Sequence, residues 1–572
     1  MRHASQKQNI VDTGMALLAS GDLKGAAARF RKVLAQMPDH HDAIHGMACV
    51  ARAEARPDRA IALIGQVLKE DLTDDNRALY HITLGHALHE AGHIEPARAA
   101  FSVATLLTPQ DFRAHAGLGE MLVRQYRFKE GAESWKRAAE RAAEPIPVWQ
   151  AYAECLMSLR QFAAAIAPFR LIAETLAENG FAWANLGAAL FEAGHMEAAQ
   201  SALDKAIAQG GDSAYTRVNR ALTALALGHF NKAEADMARA QSLAPDDRRI
   251  RNNAATLMQQ MGQTREAAAI YAALMQGNDA EAPRAAYNLA TLRLAEGRMR
   301  DGWRLYEARH AVLGRSSSLP PWDGRFGSES ILIEAEQGAG DFIQFLRFLP
   351  AALARVPVIL QADAALHPLI PLNPALDAHL KSGRLLWAGE ATASCGIMSL
   401  PHLLQIAEPD DTPYLFANAI KAGRSFRVGI CWRGSSQYRF DARRSIDPAL
   451  LAPLFNIPGI DFVSLQKELD DGVEGRPVTQ GQLQDWRATA SEIQGCDLII
   501  SVDTALAHLA GALGKDVWLL NRFGGDWRWL GPRWYRNVTI FNAARAEPPC
   551  AAWQPVIDAV CHHLRQRAEQ HH

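Results

Sequence analysis

Residues 180–213 read GFAWANLGAALFEAGHMEAAQSALDKAIAQGGDS, and the pattern inside them recurs along the first half of the chain. Gly194 interrupts two apolar runs. Ala199 follows five positions later, and Leu203 four beyond that. The same turn position returns as Gly21, Ala55, Gly92, Tyr126, Arg160, Gly194, Gly228, Gly262 and Gly297, at spacings of 34, 37, 34, 34, 34, 34, 34 and 35. The small residue returns as Ala26, Ala60, Ala97, Gly131, Ala165, Ala199, Ala233, Ala267 and Gly302. The bulky one returns as Phe30, Ile64, Phe101, Trp135, Phe169, Leu203, Met237, Tyr271 and Tyr306. Each unit is therefore expected to be a helix, a tight turn and a second helix. Glycine suits the turn because it tolerates positive φ. Alanine lets the second helix approach its neighbour, and the bulky residue lies one helical turn further along the same face.

A helix–turn–helix period of this length resembles the tetratricopeptide family. The array is placed at 1–312, in about nine repeats, with the resemblance covering about 8–312. It implies an α-solenoid, a superhelix with a concave groove. The groove serves either to bind an acceptor protein or as a spacer or oligomerisation arm. Asn185, Asn219 and Asn288 lie in first helices, where an amide can bond an extended peptide backbone through donor and acceptor; alternatively they are simply solvated.

Composition agrees with a globular protein. Hydrophobic residues make up 49% and charged residues 21%, with 60 basic against 62 acidic side chains. That balance leaves no overall basic footprint for nucleic acid. Seven widely spaced cysteines, none in a CxxC pair, argue against a disulfide framework or zinc site and fit a reducing compartment. With no stretch of transmembrane length and no signal-like apolar core at the N-terminus, a cytoplasmic location is expected. The 572 residues exceed a single core, and several structural units are expected.

Serines and prolines in 315–324 (RSSSLPPWDG) end the helical pattern, so a linker or docking strap is placed at 313–324. Beyond it the period changes. Strands are expected at 330–336, 356–361, 427–432, 461–466, 497–502 and 517–520, alternating with helices at 342–355, 447–455, 488–494 and 504–513. Alternation of this kind predicts parallel sheets covered by helices. Two α/β halves follow, 325–422 and 423–550, and then a C-terminal helix and tail at 551–572. The histidines and Cys561 near the end are read as belonging to a frayed tail. Ligands of such sheets bind at the carboxyl ends of the strands.

Five motifs fall at those ends. In Glu336-Gln337-Gly338-Ala339-Gly340-Asp341 the glycines let backbone amides approach a ligand. Asp341 either caps the following helix or faces the cleft as a general base. Gly434 and Ser435 in CWRGS precede Arg443 and Arg444; Arg444 suits phosphate oxygens, or pairs with Asp441. Ser464-Leu465-Gln466-Lys467-Glu468 offers Lys467 as a second phosphate cation and Gln466 as a partner for a base edge or phosphate. Ser501-Val502-Asp503-Thr504 runs from strand to helix. Asp503 or Thr504 caps that helix, or its amides take a diphosphate, with His508 four positions after Thr504 in a basic or donor role. The aromatics of DWRWL and Trp534-Tyr535 either stack on a ligand or seal the halves together; the second reading is preferred.

Taken in order, EQGAGD, CWRGS…RRSI, SLQK, SVDTALAHLAGALG and DWRWLGPRWY resemble the glycosyltransferase domain found behind bacterial tetratricopeptide arrays. That domain is similar to heptosyltransferases and, more distantly, to protein O-GlcNAc transferases. The resemblance covers about 322–548. It implies a GT-B fold of two Rossmann-like domains, and inverting transfer from a nucleotide sugar with no metal or other cofactor. It matches Asp341 to the base and Arg444 to a phosphate-binding position. Asp503, Thr504 and His508 fall in its nucleotide-sugar segment. Arg444, Lys467 and the amides after Asp503 are the groups expected to stabilise a leaving diphosphate. The first half is short, which points to the repeats as the site of acceptor binding, and members of this layout that modify flagellin suggest that acceptor class. Transfer to Ser or Thr of a protein is the preferred reading. A lipid- or polysaccharide-directed enzyme and a non-catalytic scaffold are the alternatives.

Overall fold

The computed structural model describes residues 2–142, 145–314, 317–408, 410–420, 425–436, 438–467 and 477–571. Within the chain are two compact units, 1–211 and 212–572. Arg315, Ser316, Glu468 and the proposed junction between the α/β halves at 422–423 lie outside the described residues.

The first unit is helical throughout, from Arg2–Ala19 to Met196–Ala208. Its geometry follows from the repeated positions. Every turn position of the array is left-handed, including the non-glycines Ala55, Tyr126 and Arg160 at φ 56°, 60° and 58°. The small residues are buried, and so are the bulky ones apart from the half-buried Trp135. Two of the large rings, Phe30 and Phe101, are held between glycines of successive first helices. A Cβ on Gly85 or Gly117 would sit 2.8 Å or 2.3 Å from Phe101, and Gly14 and Gly46 flank Phe30 in the same way. At these two rings the first-helix glycines make room that a Cβ would fill.

The second unit holds the last repeat helices, Ala214–Leu227 through Arg309–Leu313, and two wholly parallel sheets. The compact division thus falls inside the array and not at its end near residue 312. A four-stranded sheet has the order β3-β2-β1-β4, from β1 (Ile331–Glu334), β2 (Val358–Gln361), β3 (Leu385–Leu386) and β4 (Ala393–Gly396). A six-stranded sheet has the order β10-β9-β8-β5-β6-β7, from β5 (Phe426–Cys431), β6 (Ile460–Ser464), β7 (Val478–Gln480), β8 (Leu498–Val502), β9 (Val517–Asn521) and β10 (Val538–Asn542). The chain turns back across this sheet between β5 and β8, and a crevice opens at such a reversal.

Several expectations are corrected. The helix placed at 342–355 is broken. It begins earlier, as Ala339–Phe345, tightens to a 3-10 turn at Leu346–Phe348, and resumes as Leu349–Leu353. Pro350 lacks the amide to continue the ladder. The strap at 317–324 docks on β4: Trp322 N donates to Ser394 O at 2.9 Å, and Ser394 N to Pro320 O at 2.9 Å. The C-terminal segment is an ordered helix, Trp553–His571, whose Val556, Ile557, Val560, Cys561 and Leu564 complete the core under the six-stranded sheet. No helix among the described residues is long and apolar enough to cross a membrane.

In the first unit, His45 is buried against the ring of Tyr80 and bonded to Thr83 Oγ1 at 2.9 Å. Burial pushes its imidazole down to about 4 from 6.5. Above pH 6.5 both folded and unfolded chains hold it neutral. As pH falls through 6.5 towards 4 only the unfolded chain takes up the proton, so stability is lost. Urea unfolding at pH 7 and pH 5 is expected to show a smaller acid loss for His45→Gln, by roughly 1–2 kcal/mol; an equal loss would refute the assignment.

Candidate functional site

The carboxyl ends of β1, β5, β6, β8 and β9 converge on a cavity of about 750 Å³ within the second unit. Its wall includes Gly338, Gly340 and Asp341 from the β1 turn, and Gly434, Ser435, Tyr438 and Arg444 after β5. Gln466 and Lys467 come from the end of β6, and Asp503, Thr504 and His508 from the β8 turn and its helix. Ser501 is not in the wall. It is fully buried, its hydroxyl donating to Val502 O at 2.7 Å and lying 3.1 Å from Thr504 Oγ1. Its role is to support the turn.

Asp341 closes the first turn of its helix and also faces the cavity. Its Oδ2 accepts from Gly338 N at 3.0 Å, as a residue closing the first helical turn does, and its Oδ1 accepts from Arg528 at the cavity wall. Burial raises its pKa, and the Arg528 charge opposes the rise. Arg528 also donates to Gln344 Oε1 at 2.7 Å and to Asp526 Oδ1 at 2.8 Å. Against the same burial, Arg528 holds Asp526 below the ordinary carboxylate range. Asp503 is pushed up by burial and then by the neighbouring charge of Asp526; its Oδ1 accepts from Trp529 Nε1 at 2.7 Å. Carboxylates with opposed shifts in one cavity are suited to divided acid–base and electrostatic work.

Thr504 occupies the N-cap position of the helix Ala505–Ala512, yet its side chain makes no capping bond there. Ala505 and Leu506, the first two residues of that helix, line the cavity. An uncapped helix start of this kind offers amides and a positive dipole end to an anion. Gly340 lets the neighbouring helix come close: a Cβ there would lie 3.1 Å from His508 Cδ2 and 3.4 Å from Ala505 Cα.

Three readings of individual residues change. His508 is not a cation. Burial, and next the charge of Arg528, push it down to about 3, while its ring stacks on Trp529 and its Nδ1 lies 3.0 Å from Tyr535 Oη. When Nδ1 accepts from Tyr535, Nε2 carries the hydrogen and is a neutral donor. Gln466 spends its Oε1 on the amides of Trp432 and Arg433, both at 3.0 Å, and so knits β6 to β5. Arg444 is largely a strut: it donates to Asp441 Oδ1, to Ser435 O at 3.1 Å and to Asp503 O at 2.9 Å. Of five guanidinium hydrogens, those bonds leave one for a ligand. A Cβ on Gly434 would fall 1.9 Å from Arg444 Nη2, which explains the glycine. Lys467 is exposed at the rim.

The repeat asparagines do not form one set. Asn185 belongs to the first unit. Asn288, in the second, donates to Asn252 Oδ1 at 3.3 Å and joins a ladder between repeats. Asn219 is half-buried in the same unit. Sequence reasoning missed Arg528, Asp526, Tyr438 and Trp486, all in the cavity wall. The first two stand in the DWRWL run, where they alternate with tryptophans and so resemble the surface of an aromatic seam.

Tetratricopeptide-repeat family profiles match residues 17–80 and 214–247. The chain is 26% identical over 379 residues to Protein FlbA of Caulobacter vibrioides, covering 57% of this chain and 63% of that protein. It thus spans less than two thirds of that relative. Among solved structures it is similar to YrrB, a TPR protein described as having an unusual peptide-binding site (21% identity, 32% of this chain and 93% of that one, TM-score 0.30). It is also similar to pilF of Pseudomonas aeruginosa (18% identity, 43% of this chain and 96% of that one, TM-score 0.30).

Replacing Arg528 with Met leaves Asp341 and Asp526 without their shared cation. Loss of one partner from a buried pair costs about 3–5 kcal/mol. Arg528→Met is expected to lower the melting temperature sharply, with Asp341→Asn in the same chain recovering part of the loss. Additive losses in the double mutant would show that the two groups do not interact.

Proposed function

We propose that the protein is an inverting glycosyltransferase of the GT-B type, moving a sugar from a nucleotide-sugar donor to Ser or Thr of a protein recruited by its repeats. The observation that carries this reading is the cavity itself. An uncapped helix start and a Gly-Ser loop lie on one side, and a half-buried carboxylate of raised pKa, Asp341, comes from the other sheet. The diphosphate is assigned to the amides of Ala505 and Leu506, with Lys467 and the remaining Arg444 hydrogen in support. Asp341 takes the proton of the acceptor hydroxyl. The hydroxyl oxygen bonds to the anomeric carbon, the bond from that carbon to the diphosphate oxygen breaks, and the nucleoside diphosphate leaves with the electron pair. Positive groups of the chain then stabilise the departing charge, a role that needs preorganised donors in a site shielded from water. The tetratricopeptide matches support protein binding by the array independently of catalysis, and flagellin is the acceptor class to try first.

The test combines binding and transfer on the full chain. One class among UDP-, GDP-, ADP- and CMP-sugars is expected to raise the melting temperature with concentration, since a ligand at 100 times its Kd adds about 2.7 kcal/mol. Lys467→Ala is the binding control, because loss in Arg444→Ala would be confounded by the strut it removes. Asp341→Asn is expected to keep donor binding and lose transfer at least ~100-fold. Stabilisation by none of the donors, or transfer by Asp341→Asn at the wild-type rate, would overturn the assignment.

A further inference from the structure

Two loops that reach the cavity are held from outside it by the repeats. Arg443 adjoins Arg444 but bonds away from the cavity: its Nη1 donates to Leu225 O at 3.3 Å and to Gln260 Oε1 at 3.5 Å, and its Nη2 to Phe523 O at 2.6 Å. Arg522, at the end of β9, donates to the same Gln260 Oε1 at 3.1 Å, to Phe523 O at 3.2 Å, to Gly524 O, and to Tyr438 Oη at 3.3 Å. Both arginines are 4% exposed. They are stacked on rings, Arg443 on Phe230 and Phe440, and Arg522 on Phe440.

Two of the oxygens that receive them come from the repeats, and the carbonyls of Phe523 and Gly524 come from the loop after β9 itself. Leu225 lies near the end of the helix Ala214–Leu227, and Gln260 is the last residue of Arg248–Gln260. Leu225 O also accepts from Gly228 N at 3.1 Å, and Gln260 offers its side-chain oxygen, so the two guanidinium groups sit at the negative poles of two helix dipoles and are stabilised there without a carboxylate. Gly524, at φ 61°, lets the turn press onto the second of these ends; a Cβ there would lie 2.5 Å from Gln260 O. Burial, and next the charge of Arg522, push Arg443 down to about 9, so the pair is held at a cost in solvation that its contacts offset.

From this cluster the contacts run directly into the cavity wall. Tyr438, bonded by Arg522, carries Arg444 over its ring at 4.4 Å, and Arg444 bonds Asp503 O at the entrance to the anion-binding helix. The turn gripped by Gln260 leads to Asp526, the partner of Arg528.

We propose that Gln260, Arg443 and Arg522 are positioning residues, through which the seventh and eighth repeats set the geometry of the phosphate side of the cavity. The repeats after Gly211 are then part of the site and not only a means of recruiting a partner. The shaping of the wall stands on these contacts; its effect on ligand affinity rests on the diphosphate reading given above.

The experiment uses the full chain with Gln260→Ala and Gln260→Glu. Hydrogen exchange reads the wall, and inorganic pyrophosphate is the probe of binding. Gln260→Ala is expected to speed exchange in residues 438–445 and 522–528 by about tenfold while the amides of β5 and β8 keep their protection, as local opening does. It is expected to weaken pyrophosphate by a similar factor. Gln260→Glu, which keeps the acceptor and adds a charge facing two arginines, is expected to restore both. Unchanged exchange in the two loops overturns the proposal. Loosened loops with unaltered pyrophosphate affinity also overturn it, leaving a merely structural cluster. A wild-type chain that ignores pyrophosphate while the loops loosen instead refutes the diphosphate reading and supports the mechanical coupling.

Discussion

Arg528 is the group on which the geometry of the second unit turns. It projects from the segment after β9, takes Asp526 from its own half, and reaches Asp341 and Gln344 of the other. A buried guanidinium cannot tolerate misplacement, because each unpaired donor would forfeit the hydration it gave up. Its demand for three oxygens therefore fixes how the two sheets face one another. An aromatic cluster surrounds it and supplies the dry setting. Trp303, from the last full repeat, meets Phe345, Trp527 and Trp534 edge-on at 5.7, 5.7 and 6.2 Å, and the ring of Trp527 lies under Arg528 at 4.4 Å. Repeat, first sheet and second sheet meet at one tryptophan.

That arrangement also explains the divided behaviour of the carboxylates. One cation between two acids cannot satisfy both equally. Asp526 accepts from both the side chain and the backbone amide of Arg528, the latter at 3.1 Å, and keeps its charge; Asp341 also has a backbone amide, from Gly338, but burial, with the charges of Asp526 and Glu336, leaves its pKa raised. The same cation discourages protonation of His508, which settles as a neutral ring between Trp529 and Tyr535. The electrostatics of the cavity are thus a property of the assembly and of no single motif.

The parts of the structure legible in the sequence are those set by local backbone chemistry. Left-handed turns, small contact residues and glycine-rich strand ends announce themselves one residue at a time, and the cavity motifs at 338–341, 434–435 and 503–504 were readable for that reason. The strands β3, β4, β7 and β10 were missed because they are short or lie at sheet edges, where apolar runs are brief. The break before Pro350 is hidden because the apolar period continues on both sides of it. The fates of Gln466, Arg444 and Ser501 were decided by partners distant in sequence or by burial, neither of which spacing can reveal. Arg443 looked like the twin of Arg444, yet the two neighbours serve opposite sides of one wall.

The division at Gly211 bears on how such a chain can change over generations. Repeats on its N-terminal side form a compact unit built of helices alone, so a period lost or duplicated there alters length and little else. Repeats on its C-terminal side carry the ends that receive Arg443 and Arg522, so those ends answer to two sets of neighbours. Copy number is a free variable of lineage in the first part and a frozen one in the second, and a graft that joins this α/β region to a foreign array must bring its last three repeats along.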